Sequence, residues 1–65
     1  MRIVVNGEVT QTAAATLAEL CTALGFSEAR IATAVNGDFV PEAARGQRMI
    51  AQGDRIEIVA PRQGG

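Results

Sequence analysis

Thr16-Leu17-Ala18-Glu19-Leu20-Cys21-Thr22-Ala23-Leu24-Gly25-Phe26 reads as one helix with both of its ends written into the chain. Thr16 and Glu19 stand at capping-box spacing. The Thr16 hydroxyl is expected to accept from the Glu19 N–H, and the Glu19 carboxylate to reach back to the Thr16 N–H. Leu17, Leu20, Cys21 and Leu24 fall at i, i+3, i+4 and i+7, which lays a single apolar stripe along the helix. Gly25 suits the residue just past the helix, where the backbone turns left-handed, and Phe26 can fold back on Cys21 as in a Schellman motif. A lone helix with one apolar stripe has to cover a sheet to bury it.

The flanking sequence supplies that sheet. Before the helix, Met1–Val5 is a strand with Met1, Ile3 and Val5 on one face and Arg2 and Val4 on the other. Asn6-Gly7 is a hairpin turn, because both residues tolerate positive φ. Glu8–Thr12 returns antiparallel, and its more polar pattern suits an edge. After the helix, Ser27–Arg30 is a polar connection. Ile31–Asn36 alternates, with Ile31, Thr33 and Val35 on one face and Ala32 and Ala34 on the other. Asn36-Gly37-Asp38 is a second turn, and Phe39-Val40 a short strand stopped by Pro41. Glu42–Ala51 is irregular, with a helical turn near Glu42–Arg45 and a brief extended piece at Arg48–Ile50. Gly53-Asp54 is a turn. Arg55–Ala60 is the last strand, with Ile56, Ile58 and Ala60 inward and Arg55, Glu57 and Val59 outward. Its simplest place is parallel to the first strand, reached by a long crossover. Ile3, Val5, Ile56 and Ile58 then lie under Leu17, Leu20, Cys21 and Leu24.

Composition narrows the function. Sixty-five residues make one domain with a thin core and no room for an elaborate catalytic pocket. His is absent, and with it the commonest acid–base group and metal ligand. Seven acidic and six basic residues are interspersed, giving net charge −1 and no basic stripe, so nucleic acid is not an expected partner. All the basic residues are Arg, so the chain offers no lysine to an isopeptide bond. The single cysteine suits a reducing compartment. No leader-like opening and no apolar run of bilayer length is present, which points to a soluble cytoplasmic protein without a membrane partner. Cys21, in the middle of the apolar stripe with no His or Lys nearby in sequence, reads as core.

The chemistry concentrates in Pro61-Arg62-Gln63-Gly64-Gly65. Residues 1–60 read as the folded domain and 61–65 as a flexible arm. Pro61 ends the strand, and five extended residues span roughly 17 Å. No Cβ crowds the Gly65 carboxyl carbon, so a narrow channel in another protein could admit it. An ionised carboxylate resists nucleophiles, so reaction there needs prior activation, most simply as an acyl-adenylate made from ATP by a partner.

Taken together, these pieces resemble the ThiS family of ubiquitin-like sulfur carriers of thiamine biosynthesis, relatives of the MoaD family. The matching residues are the opening strand with Asn6-Gly7, Thr16-Leu17-Ala18-Glu19-Leu20, Ala34-Val35-Asn36-Gly37 with Val40-Pro41, Gly53-Asp54-Arg55-Ile56-Glu57-Ile58, and Gly64-Gly65. The length also fits, without the extra segments common in MoaD. The resemblance implies an α+β, β-grasp fold: a mixed sheet of four to five strands with one helix on one face. It implies that a ThiF- or MoeB-type enzyme adenylates Gly65 using ATP, that a sulfur donor such as a cysteine desulfurase relay converts it to a thiocarboxylate, and that a ThiG-type thiazole synthase receives the sulfur. Gly65 is then the carrier atom and Gly64 the slim approach. No catalytic residue, metal or bound cofactor is expected in the chain itself. Arg62-Gln63 is no signature of the family.

The sheet face away from the helix is the expected docking face. Ala32, Ala34 and Val59 point there, ringed by Arg2, Arg55 and Glu57. An ordinary solvated sheet face is the alternative. Other functions stay open at this stage: a MoaD-like carrier for molybdopterin synthesis, a ubiquitin-like modifier joined to target lysines, or a non-covalent β-grasp interaction module.

Overall fold

The computed structural model describes residues 1–26 and 30–60; the arm 61–65 and most of the Ser27–Arg30 connection lie outside the described residues. Five strands, one α-helix and one 3-10 turn follow in the order β1 (Arg2–Val5), β2 (Glu8–Gln11), α1 (Leu17–Ala23), β3 (Ala32–Val35), β4 (Asp38–Val40), the 3-10 turn Glu42–Ala44, and β5 (Arg55–Val59). The strands form one mixed sheet in the order β2-β1-β5-β3-β4. β5 lies in the middle, parallel to β1 and antiparallel to β3.

Both hairpins follow from their Asn-Gly pairs. Asn6 and Gly7 have φ of 50° and 86°, and Asn36 and Gly37 have 51° and 87°, positive at both central positions as a tight hairpin turn of matching twist requires. The turns fix the registers, Val4 opposite Val9 and Ala34 opposite Phe39. β2 and β4 are the two edges, in keeping with the polar pattern of Glu8–Thr12.

The helix is only seven residues long, too short to persist alone, and packing has to hold it. Leu17, Leu20 and Cys21 are buried against Ile3, Val35, Val40, Ile50, Ile56 and Ile58. Its C-terminus is a complete Schellman motif. The Phe26 N–H donates to the Cys21 carbonyl at 2.8 Å, the Gly25 N–H donates to the Thr22 carbonyl at 3.0 Å, and Gly25 sits at φ 92°. Phe26 packs on the core.

Three expectations need correction. Leu24 leaves the apolar stripe: it is the C-cap residue and is exposed, because the helix ends one residue earlier and the chain turns at Gly25. Ala60 does not point into the core. β5 ends at Val59, and Ala60 is exposed beyond the last rung of the ladder with β3. The Glu19 carboxylate reaches one residue farther back than a standard capping box: its Oε1 accepts from the Ala15 N–H at 2.8 Å, while the Thr16 Oγ1 accepts from the Glu19 N–H at 3.2 Å as expected.

The segment Glu42–Ile50 closes over the helix start and caps its first donors. The Leu17 N–H donates to the Arg48 carbonyl at 2.9 Å and the Ala18 N–H to the Arg45 carbonyl at 3.1 Å. These are first-turn donors that have no partner within the helix. Thr16 and Met49 form an isolated antiparallel bridge, and the Ile50 N–H donates to the Ala15 carbonyl. The stretch without a periodic pattern thus gains its order by capping the helix.

Candidate functional site

The arm carrying Gly64 and Gly65 lies outside the described residues, so the structure speaks to the platform it leaves and to the face beside it. β5 is the last described strand, held by β3 over most of its length and by β1 along its first part. The Val4 N–H donates to the Asp54 carbonyl and the Asn6 N–H to the Ile56 carbonyl, each at 2.9 Å. On the other flank Val35 pairs with Ile56, Ala34 with Glu57, Thr33 with Ile58 and Ala32 with Val59. Ala32, Ala34, Arg55, Glu57 and Val59 come from β3 and β5, and strand alternation puts these five on the face opposite α1, which exposed Arg2 of β1 shares.

They do not form one uniform patch. Ala32, Ala34, Glu57 and Val59 border a shallow depression of about 240 Å³ at the arm end of β5. Arg55 lies toward the other end, opposite Val4, beside a second hollow of about 270 Å³ between the two hairpin turns. Ala34 is half-buried, and the other four are exposed. Among the described residues no group of three or more His, Cys, Asp or Glu side chains could hold a metal ion.

Sequence reasoning missed the most prominent side chain of this face. Phe39 on β4 is 69% exposed and stands opposite Ala34, walling the depression beside Val59, itself 63% exposed. Exposure of a lone Phe is common, but Phe39, Ala34, Ala32 and Val59 form a contiguous apolar surface. The signal was present. A two-residue Asn36-Gly37 turn sets Ala34 opposite Phe39, so alternation alone places Phe39 beside the small residues. Val4 and Val9, paired on β1 and β2, add an apolar strip on the same face by the same reasoning.

The opposite face is closed. Thr33 is buried at 2% exposure; its hydroxyl donates to the Val40 carbonyl at 2.8 Å and accepts from the Arg45 Nε at 3.1 Å. Arg45 Nη2 also donates to the Ile31 carbonyl at 2.7 Å. Burial pushes the Cys21 thiol up from its ordinary value, and the Arg45 guanidinium offsets part of that rise. A neutral buried thiol among apolar side chains is a packing group, as its place on the helix stripe suggested. No helix among the described residues is long and apolar enough to cross a membrane.

Comparison with known proteins places this architecture. No curated protein sequence matches the chain. The crystal structure of a thiamine biosynthesis protein, ThiS, from Geobacter metallireducens superposes with a TM-score of 0.83 at 26% identity, covering all of both chains. An NMR solution structure of a thiamine biosynthesis protein from the same organism gives 0.81 at 25% identity, covering all of this chain and 88% of the other. The mixed five-stranded sheet with one helix is therefore the β-grasp arrangement expected from the sequence. The model of the ThiS family matches residues 2–65, nearly the whole chain, and the protein belongs to the ThiS family.

Proposed function

We propose that the protein is a sulfur carrier of thiamine biosynthesis, with the Gly65 carboxylate as the atom group that carries the sulfur. Membership of the ThiS family over residues 2–65, reaching the Gly64-Gly65 pair, is the observation that carries this reading. The platform supports it: a small sheet whose central strand leads to residues 61–65.

In the proposed sequence a ThiF- or MoeB-type partner binds ATP. A Gly65 carboxylate oxygen attacks the α-phosphorus, pyrophosphate leaves, and the acyl-adenylate forms. A sulfur nucleophile then attacks the activated carbonyl and AMP departs. A persulfide donor, such as one charged by a cysteine desulfurase, leaves an S–S bond that a thiol must reduce before the thiocarboxylate is free. A ThiG-type thiazole synthase accepts that sulfur. The chain itself works as substrate and carrier in the cytoplasm and binds no cofactor. Gly64 keeps the approach narrow, and residues 61–65 act as a flexible arm beyond the domain 1–60.

Docking falls to the outer sheet face, with Ala32, Ala34, Arg55, Glu57 and Val59 joined by Phe39. Small and aromatic apolar side chains flanked by charges fit the makeup of a modest protein interface.

The deciding experiment is the intact mass of the protein after incubation with ATP, activating enzymes of both types and a sulfur source. Exchange of one oxygen for one sulfur, lost when Gly65 is deleted, is expected. An unchanged mass with competent partners of both types overturns the reading. For the face, Val59→Asp and Ala34→Arg should slow adenylation in a folded protein; unaltered adenylation kinetics would refute that assignment.

A further inference from the structure

The two Asn-Gly turns do more than reverse the chain. β1 runs alongside β5 only as far as Val4 and Val5, opposite Arg55 and Ile56, and then turns away at Asn6. The flank of β5 beyond Ile56 is therefore left without a strand on that side. The Asn6 carboxamide fills the place. Its Oδ1 accepts from the Ile58 N–H at 2.9 Å and its Nδ2 donates to the Ile58 carbonyl at 3.1 Å. In a continued parallel ladder a backbone carbonyl and a backbone N–H would serve these two groups. One side chain thus adds a further rung to β1, and the orientation of the amide is dictated by the N–H and C=O it faces.

Asn36 has nearly the same backbone, φ 51° against 50°, yet grips the other end of the same strand. Its Oδ1 accepts from the Arg55 N–H at 2.9 Å and its Nδ2 donates to Asp54 Oδ1 at 3.0 Å. Asn36 secures the entry of β5 and Asn6 its exit, two residues before Ala60, where the chain continues into 61–65. Few residue types serve at position 6. The turn needs positive φ, which Gly, Asn and Asp tolerate. Gly offers no donor or acceptor, and ionised Asp offers no donor.

We propose that Asn6 is a positioning residue for the C-terminal arm: its carboxamide holds β5 through Ile58 and so fixes the point and direction from which residues 61–65 depart. The functional consequence rests on the carrier reading; the structural one does not. With the clamp in place, the arm starts from a strand held on both flanks. Without it, the strand is held on the β3 flank alone past Ile56, and the Gly65 carboxylate starts from a looser base.

The test compares Asn6→Gly, Asn6→Asp and Asn36→Gly in the full chain. Glycine keeps both turns and removes one clamp at a time. Amide exchange at Ile58 is read against Leu20, a reporter of global opening, with 15N order parameters at Val59 and Ala60. In Asn6→Gly, Ile58 should exchange about tenfold faster relative to Leu20, and the order parameters should fall from about 0.85 toward 0.6. Asn36→Gly should lower global stability comparably and leave the Ile58-to-Leu20 ratio unchanged. Asn6→Asp should be loose at neutral pH and tighten below about pH 4, where a protonated carboxyl can donate to the Ile58 carbonyl. With the adenylating partner, Asn6→Gly should raise KM for the carrier about three- to tenfold at little cost in kcat, since the chemistry after insertion is the same. Ile58 tracking Leu20 in every variant overturns the clamp, and so does an identical pattern in Asn6→Gly and Asn36→Gly. A loosened Ile58 with unchanged KM overturns its role in presenting the arm. Failure of the wild-type chain to acquire sulfur overturns the carrier reading alone, and the exchange data still decide the clamp.

Discussion

Replacing Arg45 by Met should cost this small domain a large share of its stability, although Arg45 is neither fully buried nor part of any regular strand or α-helix. The Met side chain keeps most of the apolar stem and removes the guanidinium. Two hydrogen bonds go with it, to Thr33 Oγ1 at 3.1 Å and to the Ile31 carbonyl at 2.7 Å. Fully buried bonds from a charged donor contribute about 1.5–3 kcal/mol each. Arg45 and Ile31 are half-buried, so water can replace part of what is lost at the Ile31 carbonyl, and Thr33 keeps its bond to Val40. A combined cost of about 2 kcal/mol follows. A domain of this size holds roughly 3–10 kcal/mol in total. At about 4–8 °C per kcal/mol, Tm should fall by about 8–16 °C.

The loss should also have a place. Arg45 anchors the segment whose backbone carbonyls, at Arg45 and Arg48, receive the Ala18 and Leu17 N–H groups. Thermal unfolding by far-UV circular dichroism gives the total, and native-state amide exchange gives the location. The Leu17 and Ala18 amides should lose protection beyond the global change. Arg45→Lys should fall between wild type and Met, because an ammonium can replace one of two forked contacts but cannot span both. A cost for Arg45→Met below about 0.5 kcal/mol, with Leu17 and Ala18 unaffected, would refute the idea that this guanidinium seats the segment.

Thr16→Ala should cost about 1 kcal/mol in chemical denaturation, since it removes the acceptor for the Glu19 N–H; no change would mean that the Arg45 and Arg48 carbonyls suffice to cap the helix. Because burial raises the Cys21 thiol in the folded state, the folded form keeps its proton where the unfolded form has lost it. Stability attributable to this thiol is then fully present below about pH 8.5 and declines as pH rises above it, and Cys21→Ala should flatten that decline in a pH series of denaturant melts. Phe39→Ala should leave the melting curve within about 0.5 kcal/mol of wild type and weaken binding to the adenylating partner in calorimetry; equal affinity would remove Phe39 from the interface.

What could be read in the sequence, and what could not, divides along the range of the interactions involved. The hairpin turns, the Schellman end of α1 and the alternation of β3 and β5 are local devices, each settled by residues within a few positions of one another, and each appears where its pattern predicted, save that β5 stops at Val59, short of Ala60. The crossover pairing of β1 with β5 was legible because few topologies bury one helix stripe on one sheet. Glu42–Gln52 was legible only as a helical turn and a brief extended piece at Arg48–Ile50, and its partners were not, because they lie far along the chain: the N–H groups of Leu17 and Ala18, and Ile31 and Thr33 for the Arg45 side chain. Glu19 was misassigned by one residue: its carboxylate accepts from the Ala15 N–H and not from that of Thr16. At the site, the bare terminal glycines drew attention by their chemistry and the β3–β5 face by strand alternation, with the helix covering the other side. Phe39 escaped because its strand was read as a short fragment and not carried across the Asn36-Gly37 turn to its partner Ala34.

The placement of β5 bears on how this small fold would serve the carrier role proposed for residues 61–65. A terminus that leaves from an edge strand is exposed to fraying along one whole side, since an edge has only one neighbour. Here the terminal strand is the middle one of five, bordered by β1 and β3 and pinned at each end by an asparagine side chain. Its inward residues Ile56 and Ile58 belong to the core cluster, so displacing the strand means opening the core. The same strand shows Glu57 and Val59 to the candidate docking face. Anchorage, core packing and the candidate docking face thus converge on five residues, and a partner gripping that face would hold the very strand that leads to residues 61–65. If that coupling matters, moving the arm to an edge by circular permutation, with Gly64-Gly65 placed after β2 or β4, should leave a folded domain that is adenylated poorly even though its terminal residues are intact. Normal adenylation of such a permutant would show that the partner needs only the arm and a tether.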